Sequence, residues 1–185
     1  MAKKLLIIPG HGAGDSGAVG GGKTEAAIVR QLAARMKAWG GSRVRRTAYG
    51  RDYYADNGIM NLDERTYDPK KWRIVELHMD GANGSAMGGH VIQYKKRTSA
   101  GKKTAKRVSK LLPGRAETHV LRDNLANPKR ADLKGYEYML IECGFVDNKH
   151  DREWVVSNMD KLAKAILKAN GIKPRLKPLN VKCPW

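Results

Sequence analysis

The chain has 185 residues, of which 41% are hydrophobic and 29% charged, which is typical of a globular domain and excludes a disordered chain. Its 36 Lys and Arg residues outnumber its 18 Asp and Glu residues, and the resulting net charge of +18 attracts polyanions. The charge alone does not distinguish nucleic acid, an anionic wall polymer and an anionic membrane. No segment reaches the roughly 20 apolar residues of a membrane-spanning helix.

The amino-terminal segment, MAKKLLIIPG, has only four apolar residues before Pro9. This is too short for the apolar core of a signal peptide and indicates a first strand over residues 3–8. We therefore expect synthesis in the cytoplasm without a Sec-type signal. The two cysteines do not form a disulfide framework: Cys143 is expected to be a small buried residue, and Cys183 lies in the tail.

Strand-like and helix-like segments alternate along the rest of the chain. A helix is predicted from Thr24, a candidate N-cap, to Trp39, where two glycines follow. The pattern predicts an α/β fold, with helices on a largely parallel or mixed sheet of six strands. We expect a single domain over residues 1–172 and a tail or linker over residues 173–185. Further strands are predicted at 42–48, 73–79, 89–94, 117–122 and 138–143, and further helices at about 59–67, 99–112 and 159–170.

Four polar side chains are expected at one edge of this sheet. His11 follows the first strand, while His78 and Glu142 stand at the ends of later strands. Glu25 opens the first helix, on the face that carries its apolar residues. In open α/β sheets, ligands bind beyond the carboxyl ends of the strands. Each residue also has an ordinary interpretation, as a loop histidine, a helix-dipole carboxylate or a strand-end residue, so their convergence is the informative feature.

Two histidines and one carboxylate are a known ligand set for catalytic zinc, with the fourth position left for water. A second carboxylate beside such a site can accept a proton from the water and pass it to a leaving amine. The spacing differs from H-E-x-x-H, which excludes a helix-borne zincin site.

Several ordered segments resemble the N-acetylmuramoyl-L-alanine amidase family, in the zinc-dependent amidase 3 branch that includes many phage endolysins. They are PGHGAGDSGA (9–18), Glu25 in a helix, ELHMDGAN (76–83) and IECGFVDNKHD (141–151), and the likeness extends from about residue 4 to residue 170.

The resemblance implies a twisted, mostly parallel sheet between helix layers. It also implies that His11, Glu25 and His78 bind Zn²⁺ and that Glu142 is the catalytic acid and base. The expected reaction is cleavage of the amide bond between N-acetylmuramic acid and L-alanine in peptidoglycan. The expected setting is host lysis by a phage endolysin, with anionic wall polymers as possible partners of the basic surface and nucleic acid disfavoured.

The chain departs from the family pattern near the second histidine. Glu76 stands where a small residue is usual, and Asp80 where asparagine is common. Because alternate strand residues share a face, Glu76 either orients the imidazole of His78 or competes as a ligand. The remaining histidines have no matching role and are expected to be surface or structural residues: His90, His119 and His150.

Two other function classes remain open. GAVGGGKT (17–24) satisfies the P-loop pattern, and YMLIE (138–142) resembles a Walker B strand, as in a nucleic-acid-directed NTPase. Against this, eight residues separate Ile8 from Gly17, whereas a P-loop begins directly after its strand, and His11 would have no role. A non-enzymatic basic module that binds nucleic acid or cell wall is the other alternative.

Overall fold

The computed structural model describes residues 2–180, and its centre is a six-stranded sheet. The strand order is β4-β1-β5-β8-β6-β7, and all neighbours are parallel except β6 and β8. This confirms the predicted α/β class with a mostly parallel, mixed sheet. The strands are β1 (Lys4–Pro9), β4 (Val44–Arg46), β5 (Trp72–Asp80), β6 (His90–Gln93), β7 (His119–Leu121) and β8 (Glu137–Phe145).

Most of the helices cover one face of the sheet. The core on that face includes alternate strand residues such as Leu77 and Ile141, packed against Leu32 and Ile166. The helices are α1 (Glu25–Gly40), α2 (Ser99–Leu111), α3 (Ala126–Leu133), α4 (Lys149–Ser157) and α5 (Met159–Ala169). None of them is both long and apolar enough to span a bilayer, within the part of the chain described.

The other face is covered by α3 and by a turn-rich segment between β4 and β5. Ile59 and Leu62 of that segment pack with strand residues Ile8 and Leu140. The sheet is therefore covered on both faces. On this second face, the covering layer of the described chain consists of the short helix α3 and the turn-rich segment. The polar side chains that the sequence places at one edge lie at the carboxyl ends of the strands of this sheet.

The helix predicted at about 59–67 is wrong, because these residues form turns. Asp63 accepts hydrogen bonds from the backbone of Arg65 and the hydroxyl of Thr66, at 3.0 and 2.6 Å. Such local bonds compete with helical hydrogen bonding. The sequence patterns also missed α3, which starts without a side-chain cap, and α4, which is only nine residues long.

Residues 17–24 do not form a P-loop. Val19–Gly20 (β2) and Lys23–Thr24 (β3) pair as a two-stranded antiparallel hairpin. Lys23 is exposed on this hairpin and not in the first turn of a helix, where a P-loop lysine is placed to reach phosphates. The NTPase interpretation of this motif is therefore wrong.

The described part of the carboxyl-terminal segment returns to the end of α1. The backbone amides of Arg175 and Leu179 donate to the carbonyls of Trp39 and Ala38, both at 2.9 Å. Cys143 is buried in the core, as predicted. Cys183 lies outside the described residues.

Candidate metal centre

His11, Glu25 and His78 meet at the carboxyl edge of the sheet. One ligand atom from each lies within 4.8 Å of the others. Glu25 Oε1 is 3.0 Å from His11 Nε2 and 2.8 Å from His78 Nδ1. The two imidazole rings are nearly perpendicular, with centroids 5.1 Å apart. Residues from a loop, a helix and a strand thus converge on one point.

Local structure explains how Glu25 reaches this point. Thr24 caps α1 by accepting a hydrogen bond from the amide of Ala27 at 3.2 Å, which makes Glu25 the first helical residue. Its carboxylate is 3% exposed and accepts backbone N–H groups from Met79 and Ala18, at 3.0 and 3.1 Å. These bonds fix both carboxylate oxygens.

Two glycines allow the close approach of the histidines. A Cβ on Gly10 would lie 2.4–2.7 Å from ring atoms of His78, so only glycine lets that imidazole pack on the end of β1. Gly17 has a φ of 62°, and a Cβ there would lie 2.6 Å from Glu25 Oε2 and from His11 Cδ2. His11 itself has a φ of 64°, which is uncommon for a residue with a side chain and aims its ring at Glu25.

A second carboxylate holds the far nitrogen of each imidazole. His11 Nδ1 is 2.6 Å from Asp15 Oδ2, and His78 Nε2 is 3.0 Å from Glu76 Oε1. Glu76 is therefore placed to orient His78 from the side opposite Glu25. The side-chain amide of Asn127 donates to both oxygens of Glu76 at 3.1 Å, and the Tyr138 hydroxyl donates to Oε2 at 2.6 Å.

This arrangement is suited to a cation. All four nitrogens of the two imidazoles face carboxylate oxygens, which can only accept hydrogen bonds. A neutral imidazole has one N–H donor and one lone pair, so in each ring one nitrogen would direct its lone pair at a carboxylate. A cation between His11 Nε2, Glu25 and His78 Nδ1 would accept both lone pairs. The remaining N–H groups would then donate to Asp15 and Glu76, the pattern common in metal sites of proteins. The donor set of two imidazoles and a carboxylate fits zinc.

The electrostatics of these side chains agree with this interpretation. Burial alone would raise the pKa of Glu25, but hydrogen bonds from His11 and His78 outweigh it and lower the pKa to about 2. Burial opposes protonation of His78, yet Glu25 and Glu76 raise its pKa well above the ordinary value. The hydrogen bond to Glu25 also raises the pKa of His11. The carboxylates thus favour positive charge at the centre of the site.

Glu142 stands beside this centre, next to His78 in the sheet. It is the register partner of His78 across β5 and β8, and a bulge follows at once between His78 and Asp80. Its Oε2 atom is buried and has no hydrogen-bond partner among residues 2–180. Burial raises the pKa of Glu142 to about 8, with the charges of Asp80 and Glu25 adding to the rise and that of His78 opposing it.

The three remaining histidines lie outside the cluster of candidate ligands. His119 Nε2 lies 3.0 Å from Gln93 Oε1, and the side chain of His150 is 60% exposed. His90 is fully buried and is the register partner of Glu142 on β6. Burial lowers its pKa to about 4, with Arg115 and Arg122 adding to the effect, so it is neutral at pH 7.

Sequence patterns did not single out Asp15, Asn127 and Tyr138. Asp15 lies four residues after His11 in the same loop, and that local spacing was the only available signal. Asn127 lies on α3, a helix that was not predicted. Tyr138 reaches Glu76 only through the β5–β8 register, which pairs Tyr138 with Ile74, two residues before Glu76.

A small cavity adjoins the two histidines. Its volume is about 170 Å³, and its walls include Tyr53 and Tyr54 from the turn-rich segment and Leu125 before α3. The carboxyl edge thus offers an opening beside the candidate ligands. A substrate group can approach the centre from this side.

Residues 5–173 match the family described as N-acetylmuramoyl-L-alanine amidase, Amidase_3. The chain belongs to this family. It is 32% identical over 190 residues to a probable autolysin PH of Staphylococcus aureus (strain NCTC 8325 / PS 47), covering 93% of this chain and 39% of the relative. It is 29% identical over 163 residues to an uncharacterised cell wall amidase of Bacillus anthracis, covering 80% of this chain and 31% of that protein.

The amidase chain therefore spans less than half the length of these two relatives. Its fold is also that of solved amidases. The catalytic domain of the CD27L endolysin that targets Clostridia difficile superposes with a TM-score of 0.70 at 19% identity, covering 92% of this chain and 98% of that one.

Proposed function

We propose that this chain is a zinc-dependent hydrolase of peptidoglycan that cleaves the amide bond between N-acetylmuramic acid and L-alanine. The observation that carries the proposal is the shared position of Glu25 between His11 and His78, with a carboxylate on the far nitrogen of each ring. Family membership supports the choice of bond. The division into a catalytic domain at 1–172 and a tail at 173–185 remains part of this proposal.

His11, Glu25 and His78 would hold the zinc ion. When bound, zinc acts as a Lewis acid towards the scissile carbonyl and lowers the pKa of a water molecule towards about 7. Asp15 and Glu76 would orient the two imidazoles and fix the tautomer whose lone pair faces the ion, because each accepts the outer N–H group. Asn127 and Tyr138 hold Glu76 in turn.

Glu142 is the proposed proton carrier. It takes a proton from the water that attacks the carbonyl carbon and gives it to the alanine nitrogen as the C–N bond breaks. The products are the lactyl carboxylate of the sugar and a free amino-terminal alanine. A carboxyl with one buried oxygen and a raised pKa is suited to donating this proton, and a neighbouring cation lowers the same pKa and favours the base form.

The test is hydrolysis of a soluble muramyl peptide, followed by detection of new L-alanine amino termini. Glu142→Gln should keep zinc and lose activity by a factor of about 100 or more, the usual contribution of general acid–base catalysis. The matched control is Glu117→Gln, at an exposed glutamate paired with Arg97, which should retain activity. Substantial turnover by Glu142→Gln would contradict the assigned role, and cleavage of a different bond would contradict the assigned reaction.

We further propose that the enzyme acts as a phage endolysin in host lysis. The endolysin domain with the same fold supports this role, whereas the relative named an autolysin supports turnover of a bacterium's own wall. Expression inside a susceptible bacterium distinguishes them. An endolysin that depends on a separate pore lyses cells only after the membrane is permeabilised, and lysis without permeabilisation would contradict that route.

A further inference from the structure

A large cleft opens at the end of the sheet opposite the metal centre. Its volume is about 700 Å³, and it is lined by residues near the amino ends of β1, β5 and β8, among them Lys3, Arg73 and Glu137. Arg73 and His78 lie five residues apart on β5, which is about 16 Å along an extended strand. The cleft is therefore separate from the catalytic residues.

The cleft has a basic rim, and its floor holds an arginine that is paired with a glutamate. Lys96 and Lys103 are exposed at the rim and have no ion pair among the residues that the structure describes. At the floor, Arg73 is only 9% exposed and donates to Asn170 Oδ1 at 2.9 Å and Glu137 Oε2 at 2.7 Å. Its Nε atom is buried and has no partner in residues 2–180.

The acidic groups of the cleft are already paired. Glu137 is bonded to Arg73, and Asp132 lies 3.2 Å from Lys95. Lys3, which also lines the cleft, donates only to a backbone carbonyl, that of Pro69, at 2.8 Å. The uncompensated charge of the cleft is therefore positive.

The amino terminus of α2 opens into the same cleft. Thr98, Ser99 and Ala100 line it, and the Thr98 side chain accepts from the amide of Gly101 at 3.0 Å. The first turn of this 13-residue helix contains no acidic residue. A helix amino terminus favours an anion, and here it adds to the unpaired lysines of the cleft.

The basic surface continues from the cleft along α2. Lys103 belongs to both the cleft rim and the solvent face of the helix. That face carries five exposed basic residues with no ion pair in the described part of the chain: Lys102, Lys103, Lys106, Arg107 and Lys110. Residues four apart on this face, such as Lys102 and Lys106, are about 6 Å apart along the helix axis. A chain of repeating anions can therefore occupy the cleft and extend over α2.

We propose that the cleft and the basic face of α2 bind a phosphate-bearing polyol polymer of the bacterial wall. The choice of a wall polymer rests on the proposed function. Nucleic acid fits less well, because binding of a single strand relies on several exposed aromatic faces on which successive bases stack. Of the three tyrosines that line the cleft, Tyr136 and Tyr138 are each 5% exposed, and Tyr94 is half-buried with Lys95 Nζ 4.8 Å from its ring centroid. A cleft of this volume also accommodates a narrow chain segment and not a duplex.

Titration calorimetry of the full chain with a short poly(glycerol phosphate) tests this site. Lys96→Gln and Lys103→Gln should each weaken binding about tenfold, the loss expected for one charge-assisted hydrogen bond. The control variant, Lys23→Gln with Lys149→Gln, removes two exposed lysines outside the cleft and should change the affinity by about twofold, because only the general field is weaker. Equal losses in the cleft and control variants would overturn the proposed site.

Two further measurements distinguish a wall polymer from nucleic acid, and polymer binding from amide hydrolysis. A single-stranded oligonucleotide of equal charge should bind more weakly than the polymer, and tighter binding that depends on Lys96 and Lys103 would overturn the assignment to a wall polymer. The Glu142→Gln variant should bind the polymer as the wild type does, and the cleft variants should cleave a soluble muramyl peptide at the wild-type rate. A failure of the proposed polymer binding in the cleft can therefore be distinguished from a failure of the proposed amidase activity.

Discussion

Glu142 has a buried carboxylate oxygen without a hydrogen-bond partner among the described residues, unlike an ordinary surface carboxylate. Its pKa is about 8 in the folded metal-free protein, against 4.5 ordinarily, so the folded state binds this proton more tightly than the unfolded state does. The associated stability is fully present below the unfolded pKa and is lost as the pH rises through about 8. We expect metal-free wild type to lose stability relative to Glu142→Gln between about pH 5 and about pH 8.

The measurement is urea unfolding of both chelator-treated proteins across this range. The difference between the two proteins reports Glu142 together with its coupling to His78, because the distant titrating groups are common to both. A difference in unfolding free energy that does not change with pH would show that Glu142 is not protonated in the folded protein.

Glu76 is expected to affect the zinc affinity through its contact with His78. Since its carboxylate holds His78 Nε2, Glu76→Gln should weaken zinc binding by about 10–100-fold. Tyr138→Phe, which removes only the hydroxyl bond to Glu76 Oε2, should cause a smaller loss in the same direction. Zinc titration against a competing chelator measures both. If either affinity matched that of Glu117→Gln, the orienting role would be wrong.

At the scale of single residues, the sequence predicted the candidate ligands but not the residues that form hydrogen bonds with them or with Glu76. His11, Glu25, His78 and Glu142 could be named because each is a polar residue at a predicted element end. Asp15, Asn127 and Tyr138 could not, because their contacts depend on a loop conformation, an unpredicted helix and a strand register. Whether Glu76 orients His78 or competes as a ligand could not be argued from the sequence, because it depends on which ring nitrogen of His78 the carboxylate faces.

At the scale of elements, the approach of β1 to β5 determines where His78 lies. Gly10→Ala would place a Cβ within 2.4–2.7 Å of that imidazole, so the ring must move away from Glu25. We expect zinc affinity to fall by at least about tenfold with little loss of helical structure. The control is Gly50→Ala, because a Cβ there meets no atom within 4 Å.

Zinc titration with circular dichroism checks both parts of this prediction. Unchanged zinc affinity in Gly10→Ala would mean that the packing of His78 on β1 does not position the ligand.

Elements with strong local signals were predicted from sequence, and those without were not. The capped helix from Thr24 and the apolar strands around Ile7, Val75 and Ile141 were found. In contrast, α3 has a proline at its third residue and no side-chain cap, so tertiary packing against β8 and not local preference explains it. The turns around Asp63 show the converse, a helix-like pattern that side-chain hydrogen bonds convert to turns.

At the scale of the whole molecule, the net charge of +18 is expected to act on capture of the wall and not on the chemical step. Clearing of a wall suspension should therefore slow as salt rises, because the screening length falls from about 10 Å at 0.1 M to about 3 Å at 1 M. Cleavage of a short soluble muramyl peptide should change much less. Equal salt dependence of the two rates would show that the charge has no role in capture.

The sequence predicted the α/β class and the shared edge of the site because both follow from the alternation of strands and helices. It did not predict the cleft at the opposite edge, since Lys3, Arg73 and Lys103 become neighbours only through the strand order and the placement of α2. Charge counts alone could not locate a binding surface on the molecule.

Metal analysis of the purified protein tests the central claim most directly. We predict one zinc ion per chain in the wild type and in His150→Ala, because the His150 side chain is 60% exposed and is not among the three candidate ligands. His78→Ala should lose the zinc and the activity together. A wild-type protein that cleaves the muramyl–alanine bond without bound metal, or a His78→Ala variant that retains stoichiometric zinc, would contradict the account.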